Sequence, residues 1–278
     1  MIRNSILSLF LVIGLASCQQ SKSQDKSETT TVEQAPKGPA VITYQEYSGS
    51  EPTKPEETEF YKPAVPEVKP YAKDGAPSDA IILFDGSNLD QWISSADSTA
   101  AKWTINDDGS MTVKNRTGDI QTKQSFGSMQ LHIEWKSPEE VQGEGQSRGN
   151  SGVFLQNRYE IQILDNNDNP TYTNGQVGTL YKQGTALAMA SVPTGEWNTY
   201  DIIYHAPEFN EAGGKIKSAT VTIIHNGVLI QDHTEVKGTT PYIGWPKNEA
   251  HGEAPIRLQD HGDNSRVGYR NIWVRPLN

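Results

Sequence analysis

Three short segments of this chain alternate apolar and ionisable residues, so that acid–base chemistry could collect on the polar side of a sheet. In Gln130 to Trp135, a period of two sends Leu131, Ile133 and Trp135 to one side and His132 and Glu134 to the other. In Tyr159 to Asp165, Ile161 and Ile163 take the inner side while Glu160 and Gln162 share the outer one. In Ile256 to Gln259, the inner Ile256 and Leu258 leave Arg257 and Gln259 outside, and His261 continues their side if the strand runs on. Two carboxylates in different environments can divide into acid and base. An imidazole can shuttle a proton, and an arginine can steady a developing anion. The reading therefore expects Glu134, Glu160 and His261 as catalytic groups in one concave hollow. Arg148, Asn150, Gln162, Arg257, Gln259 and Arg270 are expected to hold substrate there. Asn150 lies in the segment Ser147 to Phe154, where Gly149 and Gly152 allow close approach to the backbone as a strand opens.

The elements that must position these groups are short strands. Beyond Asp79 apolar runs recur at Ile81–Phe84, 111–113, 129–135, 152–156, 159–164, 199–204, 219–224, 256–259 and 269–274, with turn signals such as Asp108-Gly109 and Thr117-Gly118 between them. No segment keeps helical periodicity over three turns. Asn226-Gly227, between Ile224 and Val228, supplies the two positive φ angles of a type I′ hairpin turn. About 200 residues of this kind imply one all-β domain, a jelly-roll sandwich of two antiparallel sheets spanning residues 79–278.

The composition narrows the partners. A net charge of −10 gives no electrostatic reason to approach a phosphate backbone, so no nucleic-acid partner is expected. The 35% hydrophobic content argues against an integral membrane protein. The single cysteine, Cys18, excludes an intrachain disulfide. It follows an apolar run from Ile6 to Ala16 that is too short to span a bilayer but suits an export signal. The ending Leu15-Ala16-Ser17-Cys18 resembles the lipobox of bacterial lipoproteins, which implies removal of residues 1–17, acylation of Cys18 and attachment to the bacterial cell envelope through lipid alone. Residues 18–78 hold eight of the sixteen prolines with seven Lys and ten Asp or Glu. They read as a solvated tether, or as an arm docking singly through Tyr61, Val65 and Val68.

A family resemblance joins these pieces. Leu83-Phe84-Asp85-Gly86 with Trp92, Trp103 with Gly109, Glu134-Trp135, Asn150 to Phe154, Tyr159 to Asp165, Gly195 to Tyr200, Asn226-Gly227, Leu258 to Gly262 and Arg270-Asn271-Ile272 together resemble the 3-keto-disaccharide hydrolase domain. The resemblance covers about Ala80 to Leu277 and implies a concanavalin-like jelly roll. The implied activity is cleavage of glycosides already oxidised at sugar carbon 3, as a 3-keto-glucoside 1,2-lyase or 3-keto-2-hydroxyglucal hydratase. The motif carries over onto Glu134, Asn150, Glu160, Gln162, Gln259, His261 and Arg270 as pocket residues. One departure is Asp263-Asn264-Ser265-Arg266, where a shorter polar turn is expected.

The residue types suit that chemistry. A ketone at carbon 3 acidifies the hydrogen on carbon 2, so a carboxylate or imidazole can remove it and the oxygen on carbon 1 can leave; water adding to the enone gives net hydrolysis. No cofactor is required; a divalent metal held by Glu134, Glu160 and His261 is compatible, but no spacing demands one. A retaining glucanase is a weaker fit, because Gln162 stands where such a motif needs an acid and Glu160 and Asp165 would face opposite sides. The alternative from another class is a non-catalytic carbohydrate-binding module, with Trp92, Trp103, Trp197 and Trp245 as sugar platforms.

Overall fold

A computed structural model describes residues 50–59, 61–62, 64–72 and 75–277; the export signal and Cys18 lie outside the described residues. The strands are β1 (Ile81–Phe84), β2 (Trp92–Ser94), β3 (Thr104–Ile105), β4 (Met111–Thr112), β5 (Ile120–Phe126), β6 (Met129–Lys136), β7 (Ser151–Leu155), β8 (Tyr159–Ile163), β9 (Asn198–His205), β10 (Glu208–Phe209), β11 (Lys215–Lys217), β12 (Thr220–His225), β13 (Val228–Glu235), β14 (Ala254–Leu258) and β15 (Gly268–Pro276). Every expected apolar run falls on one of them. β5 has no counterpart in the pattern, because Gln121, Lys123 and Gln124 break up its apolar positions. Asn226 and Gly227 turn β12 into β13 at φ 51° and 81°, as a I′ turn requires.

The fold is an all-β jelly-roll sandwich. One sheet has eight strands in the order β13-β12-β9-β6-β15-β4-β3, with β1 also on β15; the other has five, β2-β5-β14-β7-β8. All named pairings within them are antiparallel. Between the sheets lies one apolar core, in which Leu131, Ile133 and Trp135 of β6 meet Ile161 and Ile163 of β8 and Ile256 and Leu258 of β14. Residues 69–72 and 75–78 meet through Ala72 N–H to Ala76 O at 2.7 Å and Ser78 N–H to Lys69 O at 2.9 Å. Ala76 is buried and Val68 half-buried, whereas Tyr61 and Val65 stand 81% and 76% exposed.

This topology corrects the single polar face expected from sequence. The parity within each strand is right, but β6 and β15 belong to the large sheet and β7, β8 and β14 to the small one. Outward therefore means opposite directions: Glu134 and Arg270 face away from the core on one side, Glu160, Gln162 and Arg257 on the other. Glu134 cannot share a hollow or a metal ion with Glu160 and His261.

Glu134 instead closes a charge network. Its Oε2 accepts from Arg270 Nε at 2.6 Å and its Oε1 from Asn271 Nδ2 at 2.9 Å, while His132 Nε2 lies 3.8 Å away. His132 Nδ1 is 2.7 Å from Asp201 Oδ1, and its ring stacks on Trp273 at 5.0 Å. Arg270 also stacks over Trp197 at 4.2 Å. The network depends on a bulge in β15: the register against β6 slips between Arg270 and Trp273, and Asn271 takes φ 46°. Burial pushes the Glu134 carboxyl up, but the nearby His132 ring and the hydrogen bonds from Asn271 and Arg270 outweigh it and hold it at about 2. Burial likewise opposes the charge on His132, and the bond to Asp201 with the nearby Glu134 carboxylate overcomes it to give about 9.

The depressed carboxyl stabilises the fold fully above its unfolded value of 4.5 and progressively less as pH falls toward 2. The raised imidazole contributes fully below 6.5 and loses its contribution as pH rises through 9. Glu134→Gln is expected to cost about 1–3 kcal/mol at pH 7, measured by chemical denaturation, and the gap to wild type should narrow between pH 4.5 and 3. A gap that stays constant across that range would place the stabilisation elsewhere.

Candidate active site

On the outer face of the small sheet, three strands set their side chains in register. Phe154 pairs with Glu160 and Gly152 with Gln162 across β7 and β8, and Arg257 pairs with Phe154 across β14 and β7. An outward-facing edge strand would ordinarily be wet. Here β8 is roofed: Gln162 N–H donates to Thr179 O at 3.0 Å, Gly178 N–H to Gln162 O at 2.9 Å and Tyr181 N–H to Glu160 O at 3.1 Å, so residues 178–181 run along the free edge. Glu160 and Gln162 are consequently buried although they point away from the core.

The roof leaves a hollow of about 240 Å³ that Glu160, Gln162, Asn150, Arg257, Gln259 and His261 line together with Phe154, Tyr181, Thr240 and Tyr242. Six of the nine sequence-predicted residues thus meet in one place. Arg148 does not: its Nε donates to Asp165 Oδ2 at 3.0 Å, and Asp165 also accepts from Thr194 Oγ1. That buried pair ties the start of β7 to the end of β8. It also occupies the Asp165 carboxylate, which a retaining glucanase would need beside Glu160.

Glu160 is the most perturbed group in the hollow. Burial is the largest influence and pushes its carboxyl up to about 8, while Arg257 and His261 pull the other way. Room for the carboxyl comes from Gly152, where a Cβ would lie 2.5 Å from Glu160 Oε1 and 3.0 Å from Phe154 Cε2. The close approach expected at this glycine is made by a side chain of the protein itself.

Two aspartates that sequence periodicity did not mark hold the cations. Asp119 Oδ2 accepts from Arg257 Nη1, and the guanidinium lies 3.6 Å above the Phe154 ring. Asp119 Oδ1 accepts from Asp260 N–H at 2.9 Å, and Asp260 in turn accepts from Gly118 and Gly262 N–H, so the loop carrying His261 is clamped at its base. Asp263 Oδ2 lies 2.7 Å from His261 Nδ1, and that hydrogen bond raises the imidazole above its ordinary range, with burial opposing. The departure noted at Asp263 to Arg266 therefore supplies the partner that orients the histidine.

The polar end of the hollow is organised by amides. Gln162 Nε2 reaches Gln146 Oε1 at 3.1 Å and Asn150 Oδ1 at 3.4 Å, and Asn150 Nδ2 donates to Gln146 O at 2.7 Å. Arg257 Nε and Gln259 Oε1 are buried without a partner among the described residues, which offers a donor and an acceptor to a bound molecule. Among the described residues, no group of three or more His, Cys, Asp or Glu side chains is arranged to hold a metal ion. A buried carboxyl that titrates near neutrality, an oriented imidazole and a fixed guanidinium can move a proton and steady an oxyanion.

Gly152→Ala is expected to cost about 1–3 kcal/mol by overpacking against Glu160 and Phe154, read from denaturant midpoints. Wild-type stability in that variant would mean that the carboxyl can leave its place freely.

A solved structure of a candidate glycosyl hydrolase from Parabacteroides distasonis is 51% identical, with a TM-score of 0.78, over 83% of this chain and all of its own. A second candidate glycosyl hydrolase of that organism shares the fold at 18% identity and a TM-score of 0.53, over 72% of this chain and 94% of its own. No curated protein matches the chain. The model of the 3-keto-alpha-glucoside-1,2-lyase-like domain matches residues 79–275. With that span covering most of its length, the chain belongs to the 3-keto-alpha-glucoside-1,2-lyase-like domain family.

Proposed function

We propose that this protein, a carbohydrate-active domain of the glycosyl-hydrolase type, cleaves glycosides whose sugar carries a ketone at carbon 3. The observation that supports this reading best is the buried Glu160 carboxyl, held at about 8 beside the His261–Asp263 pair. Ionised Glu160 takes the proton from carbon 2, and the electron pair forms an enolate whose oxygen is steadied by Arg257. The enolate collapses, the ketone re-forms, the bond from carbon 1 to the leaving oxygen breaks, and that oxygen takes a proton from the His261 imidazolium. The product is a 2-hydroxy enone. Water can then add at carbon 1, giving its proton to His261 while protonated Glu160 returns one to carbon 2, for net hydrolysis. No nucleophile with a second carboxylate about 5 Å away is needed.

The test is incubation with a 3-keto-glucoside and with its unoxidised parent, following release of the leaving group. Release from the oxidised compound alone is expected; binding of both without turnover would instead make the domain a carbohydrate-binding module. Glu160→Gln and His261→Ala should each lower kcat/KM by about 10²–10⁴-fold with thermal stability nearly intact, and full activity in both would remove the assignment. The profile of kcat/KM should carry a limb near pH 8 from Glu160. Arg257→Met removes the cation that opposes burial, so this limb should move to higher pH; a downward move would contradict the electrostatics.

We also propose that Cys18 is acylated and holds the domain at the bacterial cell envelope through lipid alone. Cys18→Ser should shift the protein from the membrane fraction to the soluble fraction, and continued membrane association would oppose this.

A further inference from the structure

All six tryptophans lie beyond residue 79, and they separate clearly by exposure. Trp92, Trp103, Trp135 and Trp273 are buried, and Trp197 is half-buried near Arg270 and Lys136 on the large sheet. Trp245 is 88% exposed, on the tip formed by residues 241–246 that stands beside the Glu160 hollow. Its neighbours Tyr242 and Ile243 are 75% and 84% exposed. Among the described residues, no other stretch of four exposes three large apolar side chains.

The tip is held firmly at its root. Thr239 N–H donates to Lys247 O at 2.9 Å and Lys247 N–H to Thr239 Oγ1 at 3.2 Å, which laces the two arms of the loop together. Gly238, at φ 146°, makes that closeness possible, because a Cβ there would lie 2.5 Å from Lys247 O. Gln183 Nε2 donates to Gly238 O at 2.8 Å, and Thr240 N–H to Arg158 O at 3.0 Å. Thr240 Oγ1 accepts from Glu160 N–H at 3.1 Å, so the root of the tip touches the backbone of the buried acid itself. Lys182 Nζ donates to Tyr242 O at 2.6 Å and stands 4.5 Å over the Tyr242 ring. A loop anchored this well nevertheless holds its apolar side chains out in water, a cost that only a partner recovers.

Size and charge select the partner. Three side chains on six residues offer far less than the roughly 800 Å² that each side of a stable protein interface contributes. They suit a bilayer surface, where Trp and Tyr rings settle at headgroup level and an aliphatic side chain between them reaches the acyl boundary. The charge around the root agrees with this. Residues 236–248 hold Lys237 and Lys247, both exposed, and no acid, while exposed Lys182 adds a third cation from the neighbouring loop, in a chain whose net charge is −10. Cations at that level meet lipid phosphates as the apolar tip enters. We propose that residues 241–246 dock on an anionic phospholipid surface, with Ile243 and Trp245 inserted at the headgroup boundary and the three lysines on the phosphates. Because Tyr242 lines the Glu160 hollow, docking brings that hollow beside the headgroup layer.

Trp245 is its own reporter, since four of the other tryptophans are buried and Trp197 lies on the large sheet. The full chain is added to vesicles of phosphatidylglycerol and dibrominated phosphatidylcholine, and the emission that Trp245→Phe removes is assigned to Trp245. That emission should shift to shorter wavelength and be quenched by the bromines. An unshifted and unquenched signal, with the chain on the vesicles or left in solution, would overturn the proposal. Acylation of Cys18 does not decide the result, because a chain held by its N-terminus alone would keep the tip in water. Ile243→Ser keeps the reporter and should lower the docking equilibrium constant about tenfold with thermal stability unchanged; quenching equal to wild type would place the contact elsewhere. Phosphatidylcholine vesicles without phosphatidylglycerol, or about 1 M salt, should weaken quenching by removing the pull on the lysines. Undiminished quenching under both conditions would rule out the anionic surface. Unquenched emission together with a dimer that Ile243→Ser dissociates would assign the tip to a second copy of the chain instead.

Discussion

The site depends on one desolvated carboxyl. Glu160 points away from the core of the sandwich, and on an open sheet it would be an ordinary hydrated glutamate. Residues 178–181 along the edge of β8, the tip rooted at Thr240 and the loop after β14 together remove its water. Burial raises its proton affinity into the range where it can both take and return a proton near neutral pH. Arg257 beside it limits that rise, and Asp119 fixes Arg257. A carboxylate, a guanidinium and a second carboxylate thus form one chain in which each member sets the electrostatics of the next.

The two outer faces of the molecule use similar residues for different ends. On the large sheet, Glu134 is wrapped by Arg270, Asn271 and His132, and its proton affinity falls. On the small sheet, Glu160 has burial with little direct hydrogen bonding of its carboxyl, and its proton affinity rises. A carboxylate saturated with donors is a strut, because protonating it breaks the bonds that hold it. A carboxyl left undersatisfied in a dry hollow is chemically ready. The same contrast separates Asp165, locked by Arg148 and Thr194, from the group it might have partnered.

Much of this was legible in the residue pattern. Alternation identified the strands and the side to which each side chain turns, and Asn226-Gly227 fixed a hairpin. Gln162, Gln259 and His261 were found by the same rule, and Asn150 by the glycines that flank it where a strand opens. Sheet membership was not legible, because alternation records inside against outside and carries no label for which of two sheets a strand joins. Glu134 and Arg270 were therefore grouped with residues on the far face. Asp119 and Asp263 escaped because they sit where strands begin or end, and their partners lie in distant segments or within the loop itself. Phe154, in the apolar run Val153-Phe154-Leu155, carried no mark of its place on the outer face beneath the Arg257 guanidinium.

The extra residue at Asn271 has a consequence for the molecule's tolerance of change. Tyr269 lies inward and Arg270 outward, but after the left-handed residue the phase inverts, so that Ile272 and Val274 are inward and Trp273 lies against His132. Inserting a single residue after Asn271 would carry both aliphatic side chains into solvent and drive an indole into a space shaped for valine, whereas deleting Asn271 would straighten the bulge and keep the phase while removing the amide that Glu134 accepts from. β15 touches β1, β4 and β6, so the error would spread through three pairings at once. Insertions and deletions should be tolerated in the surface loops long before they are tolerated in this strand.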